Sequence, residues 1–128
     1  MYGGPAAKRG GRGAWGVAPL IEVTFTEDSR GRLSSVFATG HAEYGEFPND
    51  VVCAAVSAIL QATYAGLQDV AHVQFDGTRV SGRLEIPIPP GARDREDVSA
   101  IVKTAAISLE QLARQYPDRL RVTRTLES

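Results

Sequence analysis

The only cysteine of the chain, Cys53, follows one of its two histidines, His41, by twelve residues. A cysteine thiolate is a strong nucleophile, and a neighbouring histidine can take its proton and later give one to a leaving group. Between the two lies a polar loop whose last residue, Asp50, precedes an apolar run with helical spacing. These residue types, in this order, fit a thiol nucleophile with its base.

The helix that must carry the cysteine starts at a favourable place. Asp50 is a typical N-cap residue, which makes Val51 the first helical residue and Cys53 the third. Unpaired N–H groups and the positive end of the helix dipole favour a thiolate there. A helix end contributes about 0.3–1 kcal/mol, less than half of the roughly 2.7 kcal/mol that would make an ordinary cysteine mostly ionised. The imidazolium of His41 is the candidate for supplying the rest.

A purely structural interpretation of these residues remains open. A buried cysteine in an alanine-rich helix is often a small core residue, and an aspartate before a helix is most often only a cap. Asp50 could instead orient His41, although its carboxylate would oppose thiolate formation. Ser57, one turn after Cys53 on the same face, could donate a hydrogen bond to the sulfur or to the helix backbone.

Other kinds of site have weaker support. The histidines, Cys53 and the acids lack the paired spacing that is typical of zinc sites, so we expect no metal and no cofactor. The glycines at 10, 11 and 13 lack the strand and helix that flank a phosphate-binding loop. From residue 20 onward there are 11 basic and 15 acidic residues. This mildly acidic balance argues against nucleic acid as a direct partner.

The length and composition indicate one small domain. The chain has 128 residues, and residues 1–19 hold six of its 13 glycines, two prolines and three basic residues. This composition predicts a flexible basic tail ahead of a single folded domain at 20–128. A lone cysteine cannot form an intramolecular disulfide, which favours a reducing compartment and predicts a cytoplasmic protein. The longest apolar run, at 51–60, is shorter than a membrane span, so no membrane partner is expected.

The first half of the domain is predicted as a hairpin and a helix. Ile21, Val23 and Phe25 alternate with polar residues, as in a strand that is buried on one face. Residues 32–40 continue as a second strand, whose end delivers the glycine and histidine at 40 and 41. Helical spacing then runs from 51 to Gly66, which is predicted to be a glycine C-cap.

The second half repeats this order. A second hairpin is predicted at 72–88 around an Asp-Gly turn at 76 and 77. A helix at 97–116 and a short strand near 120–122 follow. The order strand-strand-helix-strand-strand-helix-strand predicts an α+β fold, with two helices packed on a mostly antiparallel sheet.

Two short motifs resemble those of the bacterial ribosomal-processing cysteine protease family, known as Prp. They are Thr-Gly-His-Ala at 39–42 and Asp-Val-Val-Cys-Ala-Ala-Val-Ser at 50–57. The spacing between the histidine and the cysteine is similar to the family pattern, as are the positions of the aspartate and the serine. The resemblance covers residues 20–125 and leaves out the tail.

The resemblance implies a homodimeric cysteine endopeptidase that removes the N-terminal extension of bacterial large-subunit ribosomal protein L-twenty-seven. It implies Cys53 as nucleophile and His41 as general base, with Gly40, Asp50 and Ser57 as supporting site residues. The loop that would cover the substrate comprises Glu43, Tyr44, Gly45, Glu46, Phe47, Pro48 and Asn49. This loop has a proline where the family usually has a glycine, and is expected to be stiffer. A noncatalytic ribosome-associated interaction module and a thiol sensor are the alternatives.

Overall fold

The computed structural model describes residues 20–40, 51–80 and 82–127. The predicted tail and the loop that carries His41 lie outside these ranges. The described residues contain five strands and two α-helices. They are β1 Ile21–Glu27, β2 Leu33–Thr39, α1 Val51–Ala65, β3 Thr78–Val80, β4 Arg83–Pro87, α2 Glu96–Gln115 and β5 Leu120–Leu126.

The strands form one sheet in the order β3-β4-β2-β1-β5. The pairs β1–β2, β2–β4 and β3–β4 are antiparallel, whereas β5 pairs with β1 in parallel. The prediction of an α+β fold with a mostly antiparallel sheet is therefore confirmed, as is the order of strands and helices. The parallel pair follows from α2, which carries the chain across the sheet from β4 to β5.

The hydrophobic core lies between one face of the sheet and the two helices. Alternate residues of the central strands are buried, among them Val23, Phe25 and Val36, each with no exposed surface. Leu60 of α1 and Leu109 of α2 are equally buried and belong to the same cluster. Because strand side chains alternate between faces, this pattern places both helices on the same side of the sheet.

The predicted C-cap at Gly66 is wrong. The helical path continues from α1 into a π-helical segment, Gly66–Val70. Gly66 faces α2, where an added Cβ would lie 3.6 Å from the Ile101 side chain. The positive φ comes later, at His72, with a value of 57°. A glycine at this position therefore brings the helices close together instead of ending the first one.

The predicted Asp-Gly turn at 76 and 77 is also wrong. The second hairpin joins β3 to β4 with Val80 opposite Arg83, and the connection contains Gly82, whose φ is 81°. At Gly77 an added Cβ would lie 2.8 Å from the Tyr64 hydroxyl. This glycine is required by the close approach of α1, which a local turn pattern does not reveal.

Asp28 ties the β1–β2 connection to the segment before α2. Its buried carboxylate accepts hydrogen bonds from the backbone N–H groups of Arg30 and Arg32, at 2.9 and 3.0 Å. The Arg32 and Arg93 guanidinium groups each donate another at 3.0 Å. Burial raises the pKa of Asp28, but these hydrogen bonds outweigh it and hold the pKa well below its ordinary value.

The helical stretch Val51–Val70 is long and apolar enough to span a membrane by length and composition alone, with a mean hydropathy of 1.4. It exceeds the apolar run recognised in the sequence because it includes the π-helical segment. Of its most apolar window, 44% is buried inside the protein. Val52, Val56 and Leu60 belong to the core cluster. This burial is typical of a core helix that packs on a sheet.

Candidate active site

Cys53 occupies the third position of α1, as the sequence predicts. The residue is 4% exposed and belongs to the hydrophobic cluster. The first turn of α1 carries no acidic side chain, so no carboxylate within that turn opposes the positive end of the helix dipole. The thiol therefore lies where a helix N-terminus favours its anionic form.

Ser57 lies one turn further along α1 and is also 4% exposed. A separation of four residues places it on the same face as Cys53. It is one of four buried polar residues in the described part of the chain, and the other three lie in β1–β2 or near the end of α1. The structure therefore places a hydroxyl and a thiol together on the buried side of the helix start.

Gly40 ends the strand that leads to His41. Its φ is 86°, a left-handed value that glycine adopts without strain. A Cβ at this position would collide with the backbone carbonyl oxygen of Leu20. Its N–H donates a hydrogen bond of 3.1 Å to the carbonyl oxygen of Gly82. A glycine is therefore required where the chain leaves the sheet toward the histidine.

His41, Asp50 and the predicted substrate loop at 43–49 lie outside the described residues. Their two anchors are described, because β2 delivers the chain to Gly40 and α1 receives it at Val51. Of the predicted site residues, Gly40, Cys53 and Ser57 are thus placed at the two ends of the ten-residue connection. Their roles in catalysis remain predictions.

Gly82 is a residue of this region that sequence reasoning missed. It lies in the β3–β4 connection, and its carbonyl oxygen accepts the N–H of Gly40. The signal that could have found it is the Ser-Gly pair at 81 and 82, since such pairs often mark turns. The stronger Asp-Gly signal five residues earlier led to the wrong turn.

A positive charge lies near the end of β2. Arg83 pairs across the sheet with Thr39, the last residue of that strand. The Arg83 guanidinium stacks on the ring of Phe37, 4.9 Å from its centre, and its side chain is 54% exposed. The ring restricts the guanidinium without removing it from solvent, so the charge is held beside the strand end.

Two surface concavities are found elsewhere on the described residues. One, of about 420 Å³, lies beside Arg32 and Arg93. The other, of about 490 Å³, is an apolar groove between α1 and α2 that includes Ile59 and Ile101. Neither is lined by Cys53. In the part of the chain that the structure describes, no group of three or more His, Cys, Asp or Glu side chains could hold a metal ion.

Comparison with protein families gives one match that covers most of the chain. The family model described as cysteine protease Prp matches residues 20–121. Two relatives are named ribosomal processing cysteine protease Prp. The Bacillus subtilis protein is 28% identical over 110 residues, which cover 81% of this chain and 96% of the relative. The Staphylococcus aureus protein is 24% identical over 103 residues, which cover 80% and 97%.

Solved structures share the fold. The crystal structure of SMU.848 from Streptococcus mutans matches with a TM-score of 0.73 and 26% identity, over 84% of this chain and 96% of that one. The ribosomal processing protease Prp from S. aureus, in complex with a covalently linked product peptide, matches with a TM-score of 0.72 and 24% identity. That alignment covers 82% of this chain and 99% of the S. aureus chain.

Proposed function

Because this chain belongs to the cysteine protease Prp family, we propose that it removes the N-terminal extension of bacterial ribosomal protein L-twenty-seven. Cys53 is the nucleophile in this proposal and His41 the general base. Gly40, Asp50 and Ser57 support them. The loop at 43–49 covers the bound peptide and excludes water during the reaction.

The observation that carries the proposal is the position of Cys53. The single thiol of the chain lies in the first turn of a helix, directly after the connection that contains His41. The helix start favours a thiolate, and a histidine held beside it would form the ion pair that activates cysteine nucleophiles. The family match includes both residues. A core cysteine without catalysis would not require that histidine.

The reaction proceeds in two steps. The Cys53 thiolate attacks the scissile carbonyl carbon and forms a tetrahedral oxyanion, which collapses as His41 protonates the leaving amine. The acyl group stays on sulfur as a thioester. Water, which gives its proton to His41, then hydrolyses the thioester and regenerates the thiolate. Backbone N–H groups at the start of α1, or in the loop around Gly45, stabilise the oxyanion.

The proposal extends to the setting of the enzyme. Relatives are named ribosomal processing proteases, which supports a ribosomal protein as substrate. We place the protease domain at 20–128, with 1–19 as an N-terminal tail, and the reaction in the cytoplasm, where a thiolate stays reduced. The enzyme acts as a homodimer in this proposal, which light scattering of the purified chain tests.

The test uses purified protein and the ribosomal protein with its extension intact. Intact-mass spectrometry should show that the wild type removes one N-terminal peptide and that Cys53→Ala removes none. His41→Ala should be nearly inactive. The other histidine provides a matched control: His72 is exposed and has positive φ, so His72→Asn, which tolerates that φ, should cleave like the wild type.

The outcomes separate the candidate functions. Cleavage by Cys53→Ala would refute the assignment of the nucleophile. Tight binding of the extended protein without cleavage by the wild type would favour the noncatalytic interaction module. Reversible oxidation of Cys53 without peptide turnover would favour the thiol sensor. Since the chain has one thiol, a single alkylation adduct identifies Cys53 without ambiguity.

A further inference from the structure

Gly40 is held by backbone contacts from two different elements. On one side its Cα faces the carbonyl group of Leu20, so closely that a Cβ would collide with the oxygen. On the other side its N–H donates a 3.1 Å hydrogen bond to the carbonyl oxygen of Gly82. The φ angles of Gly40 and Gly82 are 86° and 81°. Both glycines therefore have a conformation that most side chains oppose.

The hydrogen bond extends the sheet by one step. The β2–β4 ladder ends with Thr39 opposite Arg83, and the bond joins the residues that come next on each strand. Gly82 is well anchored, because Arg83 stacks on Phe37 and Leu84 is 1% exposed in the core. The carbonyl oxygen of Gly82 thus belongs to a fixed strand end and not to an isolated loop.

The orientation of Gly40 determines where the next residue lies. Consecutive Cα atoms are about 3.8 Å apart, so a rotation of about 20° around Gly40 moves the Cα of His41 by roughly 1 Å. A displacement of that size in a reacting group can reduce the rate by about 100-fold. A contact that fixes the peptide before His41 would therefore affect the chemistry without touching the substrate.

We infer that Gly82 is a positioning residue for the general base: its carbonyl oxygen holds the N–H of Gly40 and thereby directs His41 toward Cys53. The inference rests on the proposed function of these two residues. It requires that Gly82 keep its positive φ, because a different φ would turn the β3–β4 connection and move the acceptor.

The test compares two alanine substitutions with matched strain. Gly31 lies in the β1–β2 connection with φ of 79°, against 81° for Gly82, and an added Cβ there meets nothing within 4 Å. Gly82→Ala and Gly31→Ala should therefore lower the melting temperature by similar amounts. Only Gly82→Ala should lower kcat for cleavage, by roughly 10- to 100-fold, with KM nearly unchanged. Gly82→Asn, which accepts positive φ, should restore most of kcat.

A second readout reports on the dyad without the substrate. The rate at which iodoacetamide alkylates the single thiol, measured against pH, reflects the pairing of Cys53 with His41. Gly82→Ala should shift this profile toward that of His41→Ala, whereas Gly31→Ala should keep the wild-type profile. In the wild type, hydrogen exchange at the Gly40 amide should be slow, as the hydrogen bond to Gly82 requires.

Each outcome bears on one proposal. Equal kcat and equal alkylation profiles for Gly82→Ala and Gly31→Ala would overturn the positioning role, while an inactive His41→Ala would still support the dyad. A failure of Gly82→Asn to recover kcat would overturn the conformational explanation, as would rapid exchange of the Gly40 amide. If His41→Ala cleaves and alkylates like the wild type, the proposed function itself fails.

Discussion

Replacing Gly40 by alanine tests whether backbone crowding shapes the end of β2. At its φ of 86°, an alanine costs about 1–2 kcal/mol of folding free energy. Its Cβ would also collide with the Leu20 carbonyl oxygen and lie 3.2 Å from the carbonyl carbon. Backbone cannot yield there without disturbing the 2.9 Å hydrogen bond from the Ile21 N–H to the Arg119 carbonyl oxygen. Losing that bond costs about 1 kcal/mol, so the total loss should be about 2–3 kcal/mol.

The measurement is urea unfolding, followed by far-ultraviolet circular dichroism. Gly31→Ala is the control, because Gly31 has φ of 79° and open space around its missing Cβ. It should lose only the conformational cost of about 1–2 kcal/mol. Gly40→Ala should therefore unfold at the lower urea concentration. Equal losses in the two variants would refute the argument that contact with Leu20 requires a glycine.

Two further substitutions test the core and the charged staple. Leu60→Ala removes a fully buried side chain of α1 and should cost about 3–5 kcal/mol in the same assay, whereas Val70→Ala, at a residue 72% exposed, should change stability by less than about 0.5 kcal/mol. Because the native state lowers the pKa of Asp28, its carboxylate contributes stability that is complete above the ordinary pKa near 4 and is lost as pH falls below it. Asp28→Asn should therefore unfold at lower urea at pH 7, and its stability should fall less steeply between pH 5 and pH 2. Parallel pH profiles for the two proteins would contradict this account.

Periodicity predicted the elements that bury one face. In β1, the buried residues Ile21, Val23 and Phe25 alternate with more exposed ones, as expected. The second helix was predicted at 97–116 and runs over Glu96–Gln115. The parallel pairing of β5 with β1 was not predicted, because the choice of a strand partner depends on contacts that are distant in sequence.

The errors concern glycines whose role is tertiary. Gly66 and Gly77 were assigned to a cap and a turn from their neighbours, yet each lies at a close approach between segments. Local sequence can show that glycine permits an unusual backbone. It cannot show which side chain or strand will lie against it, and Gly82 was overlooked for the same reason.

The candidate site was accessible to a different extent at each residue. The spacing placed Cys53 in the first helical turn and Ser57 on the same face, and the structure has both. Their chemistry alone did not separate a nucleophile from a core cysteine, because burial suits both. The distinction came from the arrangement of the two motifs, to which the family match adds support. Roles for the residues at 41 and 43–50 stay predictions.

The two ends of the β1–β2 hairpin are held by different chemistry. At the connection, the Asp28 carboxylate and arginine side chains provide a contact that weakens on acidification. At the opposite end, Gly40 is held by the carbonyl groups of Leu20 and Gly82, neither of which titrates. A histidine that changes protonation state during turnover therefore follows a strand end whose contacts are independent of pH. For the proposed dyad, the pH dependence of cleavage above the acid transition would then reflect ionisation of the reacting groups rather than movement of the strand that positions them.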